Sequence, residues 1–407
     1  MKKLLQTTLL LLALLLPNVV NAHDFEVNGI YYLGYSNGNA TVTYSGNIWW
    51  GWQEQDYHYT YSGDVVIPSS VTYNGKTYTV TGINIGAFYG CDVTSVTMPN
   101  TITWIGSGAF MECSQLTSIT IPDITHICDR VFQGCTGLTS ITIPNTVTEI
   151  WQLAFAECTG LTSIYIPSGV TEIQEAPLMG CENLTEITVA SDNPYYDSRE
   201  GCNAIINTEF NMLISGCNST VIPNSVEEIS VYAFSGLGIT EVTIPEGVTT
   251  IGPWAFDNCK SLTNVTIPSS INYMGMESFS NCSSLTDVYS YIDPSNPDSY
   301  VEYYAFYLES EDYTGRTLHV PAGTLALYQE NEAWYPYFEN IVEMGDVPTL
   351  PGDMNGDGSI NITDVTLLIT MVINEASDGN AASDLNGDGR VNITDVTLLI
   401  TQVLAGS

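Results

Sequence analysis

The residues best suited to chemistry lie near the C-terminus, in two stretches of alternating oxygen donors. Asp353 to Val372 reads DMNGDGSINITDVTLLITMV and Asp384 to Val403 reads DLNGDGRVNITDVTLLITQV, identical at sixteen of twenty positions and offset by 31 residues. In the first, Asp353, Asn355, Asp357 and Asp364 offer side-chain oxygens, Ser359 a backbone carbonyl and Gly358 a sharp turn. In the second the same places fall to Asp384, Asn386, Asp388, Asp395, the carbonyl of Arg390, and Gly389. Hard oxygen ligands at short intervals on a tightly turning loop are what Ca2+ requires, so two Ca2+ sites are expected. The last ligand is Asp where such loops usually place Glu, which changes its reach. A single loop of this kind would read as an acidic surface turn; two matching copies do not.

Each loop runs into an apolar segment, DVTLLITMVIN in the first half, expected as a helix with Thr363, Thr366 and Thr370 as its polar stripe. That is more apolar surface than so small a module can bury alone, so a partner or a neighbouring segment should cover part of it. The rest of the chain offers no comparable chemistry. His23, His58, His126 and His319 have no metal-ligand spacing, and there is no H-E-x-x-H, no G-x-S-x-G and no phosphate-cradling glycine loop. No enzymatic activity is expected.

What must position these loops is a chain dominated by a repeat. Residues 138–160 read LTSITIPNTVTEIWQLAFAECTG, and the next copy opens at Leu161. Equivalent positions are Val93, Leu116, Leu138, Leu161, Leu184, Ile239, Leu262 and Leu285, most of them 22 or 23 residues apart. Such a period implies a leucine-rich solenoid in which each unit buries its apolar face against its neighbours. The expected fold is an α/β repeat solenoid, mostly strands and turns, with parallel β on one face, terminal caps, and a small helical calcium-binding domain behind it. In each copy Leu138, Ile141 and Ile143 mark the strand, while Val147, Ile150 and Phe155 return apolar side chains to the core from the opposite wall.

The organisation expected is a leader at 1–22, an N-terminal β cap at 23–80, repeats at 81–343 with an insertion at 190–220 and a C-terminal cap at 317–343, a linker at 344–352, and the calcium module at 353–407. Lys2, Lys3, the apolar Leu4 to Leu16 and the small residues before His23 form an export signal. No cysteine follows it to carry lipid, and no later apolar stretch is long enough to span a membrane. The insertion carries Ala204-Ile205-Ile206 and Met212-Leu213-Ile214, a hairpin whose second strand should continue as a rung. A formal net charge of −37, from 8 basic and 45 acidic residues, excludes nucleic acid and anionic lipid as partners and suits cation binding.

Seven of the ten cysteines (Cys91, Cys113, Cys135, Cys158, Cys181, Cys259 and Cys282) recur at one phase of the repeat, which suggests a column of buried thiols and not disulfides. Cys202 and Cys217 lie where a hairpin bridge is possible, and Cys128 is out of phase. Trp49, Trp50, Trp52, Tyr57, Tyr59 and Tyr61 crowd the cap, either as cover for the first rung or as a stacking platform. Outward strand positions run from hydroxyls (Ser118, Thr120, Ser140, Thr142) to acids (Glu186, Glu241, Asp287), either a scaffold face or a ligand surface.

The I-x-I-P strand, the V-T-x-I turn and the A-F-x-x-C close (Ala87-Phe88 to Cys91, Ala109-Phe110 to Cys113, Ala255-Phe256 to Cys259) resemble BspA-like bacterial leucine-rich repeats over roughly residues 24–343. The resemblance implies a secreted or surface protein that binds other macromolecules. The duplicated EF-hand-like loop and helix resemble a type I dockerin, which implies a cohesin partner on a scaffold or cell surface. The partner-reading positions of that family fall on Ile362-Thr363 and Ile393-Thr394, and the near-identical halves imply two binding orientations. Where many dockerins carry Lys or Arg on the helix, this chain has Ile369-Thr370 and Ile400-Thr401. The expectation is a non-catalytic, adhesin-like binding protein displayed through its calcium module. The alternative is a non-catalytic glycan-binding or structural part of a polysaccharide-degrading complex.

Overall fold

The computed structural model describes residues 20–21, 23–45, 47–48, 60–344, 362–373, 383, 385 and 390–406. It forms two compact units, 1–318 with 329–340 and 319–328 with 341–407. The leader lies outside the described residues except for Val20–Asn21, and so do Trp49, Trp50, Trp52, Tyr57 and Tyr59.

In the first unit the cap begins as an antiparallel meander. Phe25–Val27 and Ile30–Gly34 pair across Asn28-Gly29, both residues left-handed, and Ile30–Gly34 pairs with Asn39–Thr43. Asn39–Thr43 then pairs in parallel with Lys76–Ile83, which pairs in parallel with Trp104–Ile105. The cap thus converts a hairpin edge into the template for parallel rungs.

Two parallel ladders follow, where the repeat alone predicts strands on one face. The L-x-x-I-x-I segments form the first, as in Ser163–Ile166 beside Glu186–Val189 and in Glu241–Thr243, Asn264–Ile267 and Asp287–Ser290. The V-T-x-I segments, read from sequence as turns, form a second ladder of two-residue strands: His126–Ile127, Glu149–Ile150 and Glu172–Ile173, then Glu228–Ile229, Thr250–Ile251, Tyr273–Met274 and Tyr300–Val301. The cause is local. Val147 and Ile150 point inward and are buried, and the Thr148 and Thr171 hydroxyls donate to the carbonyls of Thr125 and Thr148 one rung back, at 3.1 and 3.2 Å. Thr117, Thr162 and Thr185 do the same beside the first ladder.

The third wall is a column of stacked phenylalanines. Phe88, Phe110, Phe132 and Phe155 follow one another with ring centroids 5.0, 5.7 and 5.7 Å apart, and Phe234, Phe256, Phe279 and Phe306 at 4.8, 4.8 and 5.4 Å. Tyr61 starts the column against Phe88 and is buried, so this member of the aromatic cluster is cover for the first rung. Trp334 and Phe338 close it against Phe306.

In the second unit, helices Ile362–Ile373 and Ile393–Gly406 share a core of Val365, Leu368, Val396 and Leu399, with Val372, Leu385, Val391 and Val403 around it. The spacing of three or four residues puts one stripe of each helix inward.

Candidate functional site

Of the ten residues expected to hold calcium, Asp353, Asn355, Asp357, Ser359, Asp384, Asn386 and Asp388 lie outside the described residues. Asp364 is in the first turn of helix Ile362–Ile373, with only its backbone described. Asp395 is fully buried in the first turn of Ile393–Gly406. Its Oδ2 accepts the Asn392 N–H at 2.9 Å, while the Asn392 side-chain oxygen accepts the Thr394 N–H at 2.9 Å. This reciprocal cap satisfies amides that a helix start leaves orphaned, and it puts a negative charge at the positive end of the helix dipole. The same carboxylate therefore ends the loop and starts the helix. The Arg390 carbonyl lies just before it and accepts from Asn392 Nδ2 at 3.3 Å. A buried carboxylate and a backbone carbonyl are hard oxygen donors of the kind calcium takes. The N-I-T-D capping signal at 392–395 was present in the sequence and passed over there.

Among the described residues of this unit Ile393 is the most exposed large apolar residue, at 67 %, and Thr394 beside it is also exposed. Ile362 and Thr363 occupy the matching turn of the other helix, their side chains outside the described residues. Ile369, Leu398 and Ile400 add exposed apolar surface that the shared core leaves uncovered. The Thr397 and Thr401 hydroxyls, which match Thr366 and Thr370 of the first helix, bond back to Ile393 and Thr397 carbonyls at 2.8 Å each. Among the described residues no helix is long and apolar enough to cross a membrane.

On the repeats, the outward positions do form columns. Ser163 lies beside Glu186, Tyr165 beside Thr188, and Glu241, Asn264 and Asp287 run in register, none of them buried. The hairpin of the insertion pairs Ile205–Asn207 with Met212–Ser215, and the latter pairs in parallel with Glu228–Ile229, so its second strand does continue the stack.

The pattern of rungs is matched by the family model of the BspA type leucine rich repeat region, in six copies over residues 81–199 and 203–311, more than half of the chain. The chain belongs to the BspA-type leucine-rich repeat family. Residues 351–404 match the type I dockerin domain. A solved leucine-rich repeat protein from Eubacterium ventriosum ATCC 27560 is 24 % identical with a TM-score of 0.51, covering 78 % of this chain and 84 % of that one, and shows the same fold. A leucine rich cell surface protein from Faecalibacterium prausnitzii A2-165 is 23 % identical (TM-score 0.48, covering 79 % and 94 %). A leucine-rich repeat protein from Bacteroides ovatus ATCC 8483 is 24 % identical (TM-score 0.47, covering 78 % and 88 %). No curated protein matches the chain. Dockerin type I domains bind calcium and dock onto cohesins, BspA-type repeats are a protein-interaction fold, and both families are typically non-catalytic and extracellular or cell-surface.

In this BspA-type solenoid all ten cysteines are free thiols, Cys202 and Cys217 included, so the hairpin bridge that their placement allowed is not formed. Six of the seven in-phase thiols donate to a Phe carbonyl one rung back: Cys113 to Phe88, Cys135 to Phe110, Cys158 to Phe132, Cys181 to Phe155, Cys259 to Phe234 and Cys282 to Phe256, at 3.0–3.2 Å. Burial pushes Cys158 up to about 12 and Cys135, Cys181 and Cys259 well above the usual thiol range. These are inert packing groups.

Sequence reasoning overlooked Arg316. It is buried at 2 % exposure and its guanidinium donates to the carbonyls of Leu285, Phe306 and Cys282 at 3.2, 2.8 and 2.9 Å. The Phe306 carbonyl is the acceptor that the cysteine of a further rung would serve, as Cys282 serves Phe256. A lone arginine in a chain with few bases, placed after the final A-F close, was the only signal available.

Proposed function

We propose that this protein is a non-catalytic, exported binding protein whose repeat domain holds an extracellular protein ligand while its dockerin module attaches it to a cohesin-type scaffold or cell surface. Two Ca2+ sites are assigned to it, one per loop: Asp353, Asn355, Asp357, the Ser359 carbonyl and Asp364, and Asp384, Asn386, Asp388, the Arg390 carbonyl and Asp395. Calcium supplies charge neutralisation and loop order there, and Asp395 sets the start of the helix that carries the partner-reading pair. The boundaries proposed remain a leader at 1–22, a cap to 80, repeats to 343 and the module from 353.

The observation that carries the docking role is Ile393-Thr394, exposed on the outer face of a helix whose inner face is committed to the core. An apolar centre that loses water on docking supplies most of an interface's energy. The test is cohesin binding by the full chain in calcium. Charging one pair (Ile393→Asp with Thr394→Asp) leaves binding within about twofold if the halves are interchangeable, and charging Ile362 and Thr363 as well abolishes it. Unimpaired binding by the quadruple variant would move the contact to another face.

A glycan reading has one observation of its own. Tyr273 and Tyr300 stack at 6.3 Å on the second ladder, with Tyr300, Tyr303 and Tyr304 all more than half exposed. Aromatic faces of this kind suit sugar rings. A glycan array run beside a panel of extracellular-matrix proteins, both on the full chain, distinguishes the two ligand classes.

A further inference from the structure

The insertion interrupts both ladders of the solenoid and leaves the phenylalanine wall closed. On the phenylalanine wall the flanking rungs touch directly: Gly180 N–H donates to the Ser235 carbonyl at 2.8 Å. A Cβ on Gly236 (φ +70°) would lie 2.9 Å from the Gly180 Cα, so glycine is needed to let the two backbones meet. On the second ladder the same two rungs are held apart. The run of parallel strands ends at Glu172–Ile173 and resumes at Met212–Ser215 beside Glu228–Ile229. The Ile173 N–H, which would continue the ladder, is taken by the Tyr196 hydroxyl at 2.8 Å. Thr148 and Ile150 carbonyls accept the N–H groups of Thr171 and Gln174 in the next rung. Their counterparts, the carbonyls of Thr171 and Ile173, receive no hydrogen bond among the described residues.

A cleft of about 510 Å³ opens in this break, a size in the range of ligand pockets. Its apolar part includes Ile173, Met212 and Ile214, and its polar part includes Glu228, Glu175 and Gln174. No lysine or arginine lines it. Glu228 is only partly exposed, and among the described residues its carboxylate has no hydrogen-bond or ion-pair partner. Burial raises its carboxyl above the usual range, the mark of a charge held without compensation. The cleft therefore presents an apolar floor, two carboxylates and a lining residue, Ile173, whose carbonyl is open, in a molecule of net charge −37.

We infer that this cleft receives an arginine side chain of the protein ligand, its aliphatic stem on Ile173, Met212 and Ile214 and its guanidinium against Glu228 and Glu175. A guanidinium supplies five donors in a plane and carries little hydration, which matches a site made of acceptors with an apolar floor. The inference names a recognition element for the binding role proposed above and rests on it for the identity of the occupant as part of a protein.

The test uses the full chain and a defined probe, the capped pentapeptide Gly-Gly-Arg-Gly-Gly, with the citrulline peptide as its uncharged isostere. Binding is followed by NMR shift changes at fixed ionic strength. The arginine peptide is expected to saturate and the citrulline peptide to bind at least about tenfold more weakly, as loss of a charged hydrogen-bond partner implies. Glu228→Gln and, on the exposed rim, Glu175→Gln should each weaken the arginine peptide. Glu309→Gln, the same charge change on a distant exposed residue, should leave it within about twofold. Equal effects of Glu228→Gln and Glu309→Gln, or equal binding of both peptides, would overturn the site by reducing it to the general negative field. Glu175→Gln keeps the test valid if Glu228→Gln perturbs folding. The probe requires no knowledge of the natural ligand. A failed ligand screen with intact peptide binding would sink the proposed function alone, and the reverse pattern would sink the cleft alone.

Discussion

At the level of single residues, the chain repeats a threonine beside each ladder because its hydroxyl closes a hydrogen bond to the rung behind it, as at Thr148, Thr171, Thr185 and Thr263. A cysteine sulfur is small enough for the crowded corner beside Phe and still reaches the Phe carbonyl, which explains its fixed phase better than redox chemistry does. Two outcomes follow for these thiols. All ten should be alkylated under denaturing, non-reducing conditions, and intact mass counts them; a count of eight would restore the Cys202–Cys217 bridge. The pH response has a definite sign. The fold favours the neutral thiol, so its pKa lies above the unfolded value, and stability is unchanged below about pH 9. It then falls as pH rises toward the folded value, about 12 for Cys158. Melting temperatures from pH 8 to 11 should drop more steeply for the natural protein than for Cys158→Ala. Parallel curves would mean that Cys158 is not a buried thiol.

At the level of elements, the short strands of the second ladder would not stand alone. They exist because neighbouring rungs are in register and because the turns between walls are held in left-handed conformations, as at Leu153, Tyr232 and Trp254 (φ 58°, 58° and 54°). A stack built this way needs a last partner, and Arg316 acts in place of the missing rung. Its burial lowers the pKa of the guanidinium by desolvation, and the three carbonyls it serves offset that cost. Arg316→Met should destabilise the repeat domain by about 3 kcal/mol, since it leaves the Leu285 and Phe306 carbonyls dry and unpaired, while the Cys282 carbonyl keeps the Leu285 N–H. Arg316→Lys should recover only part of that, because one ammonium cannot fan out to three separated oxygens. Urea midpoints of the three proteins check the order, and a neutral Arg316→Met would remove the capping role.

At the level of the whole molecule, two units of different chemistry should respond separately. The repeat domain is held by nearest-neighbour packing and the C-terminal unit by a small apolar core that calcium is proposed to support. Calorimetry of the full chain should show chelation lowering one transition and the loss of helicity that goes with it, while the repeat transition stays in place. Both transitions moving together would mean that the units are coupled, and neither moving would remove the calcium assignment. The acidic surface does not oppose such a fold, because few residues are charged at all and most outward positions carry hydroxyls or amides.

The sequence alone determined the repeat fold, the phase of its buried leucines, phenylalanines and cysteines, and the duplicated loop and helix at the C-terminus. These depend on spacing, and spacing is visible in one dimension because each rung touches only its neighbours. The identity of Asp395 as a conspicuous oxygen donor was legible for the same reason, whereas its part in capping the helix needed the geometry of Asn392 and Thr394. The second ladder, the Arg316 cap and the cleft beside the insertion were decided by tertiary structure. Each depends on which rung sits behind which, and the insertion changes that pairing on one wall while leaving it intact on another. No periodicity records such a difference, because the Gly180–Gly236 contact joins residues that the repeat count would place farther apart than a single rung.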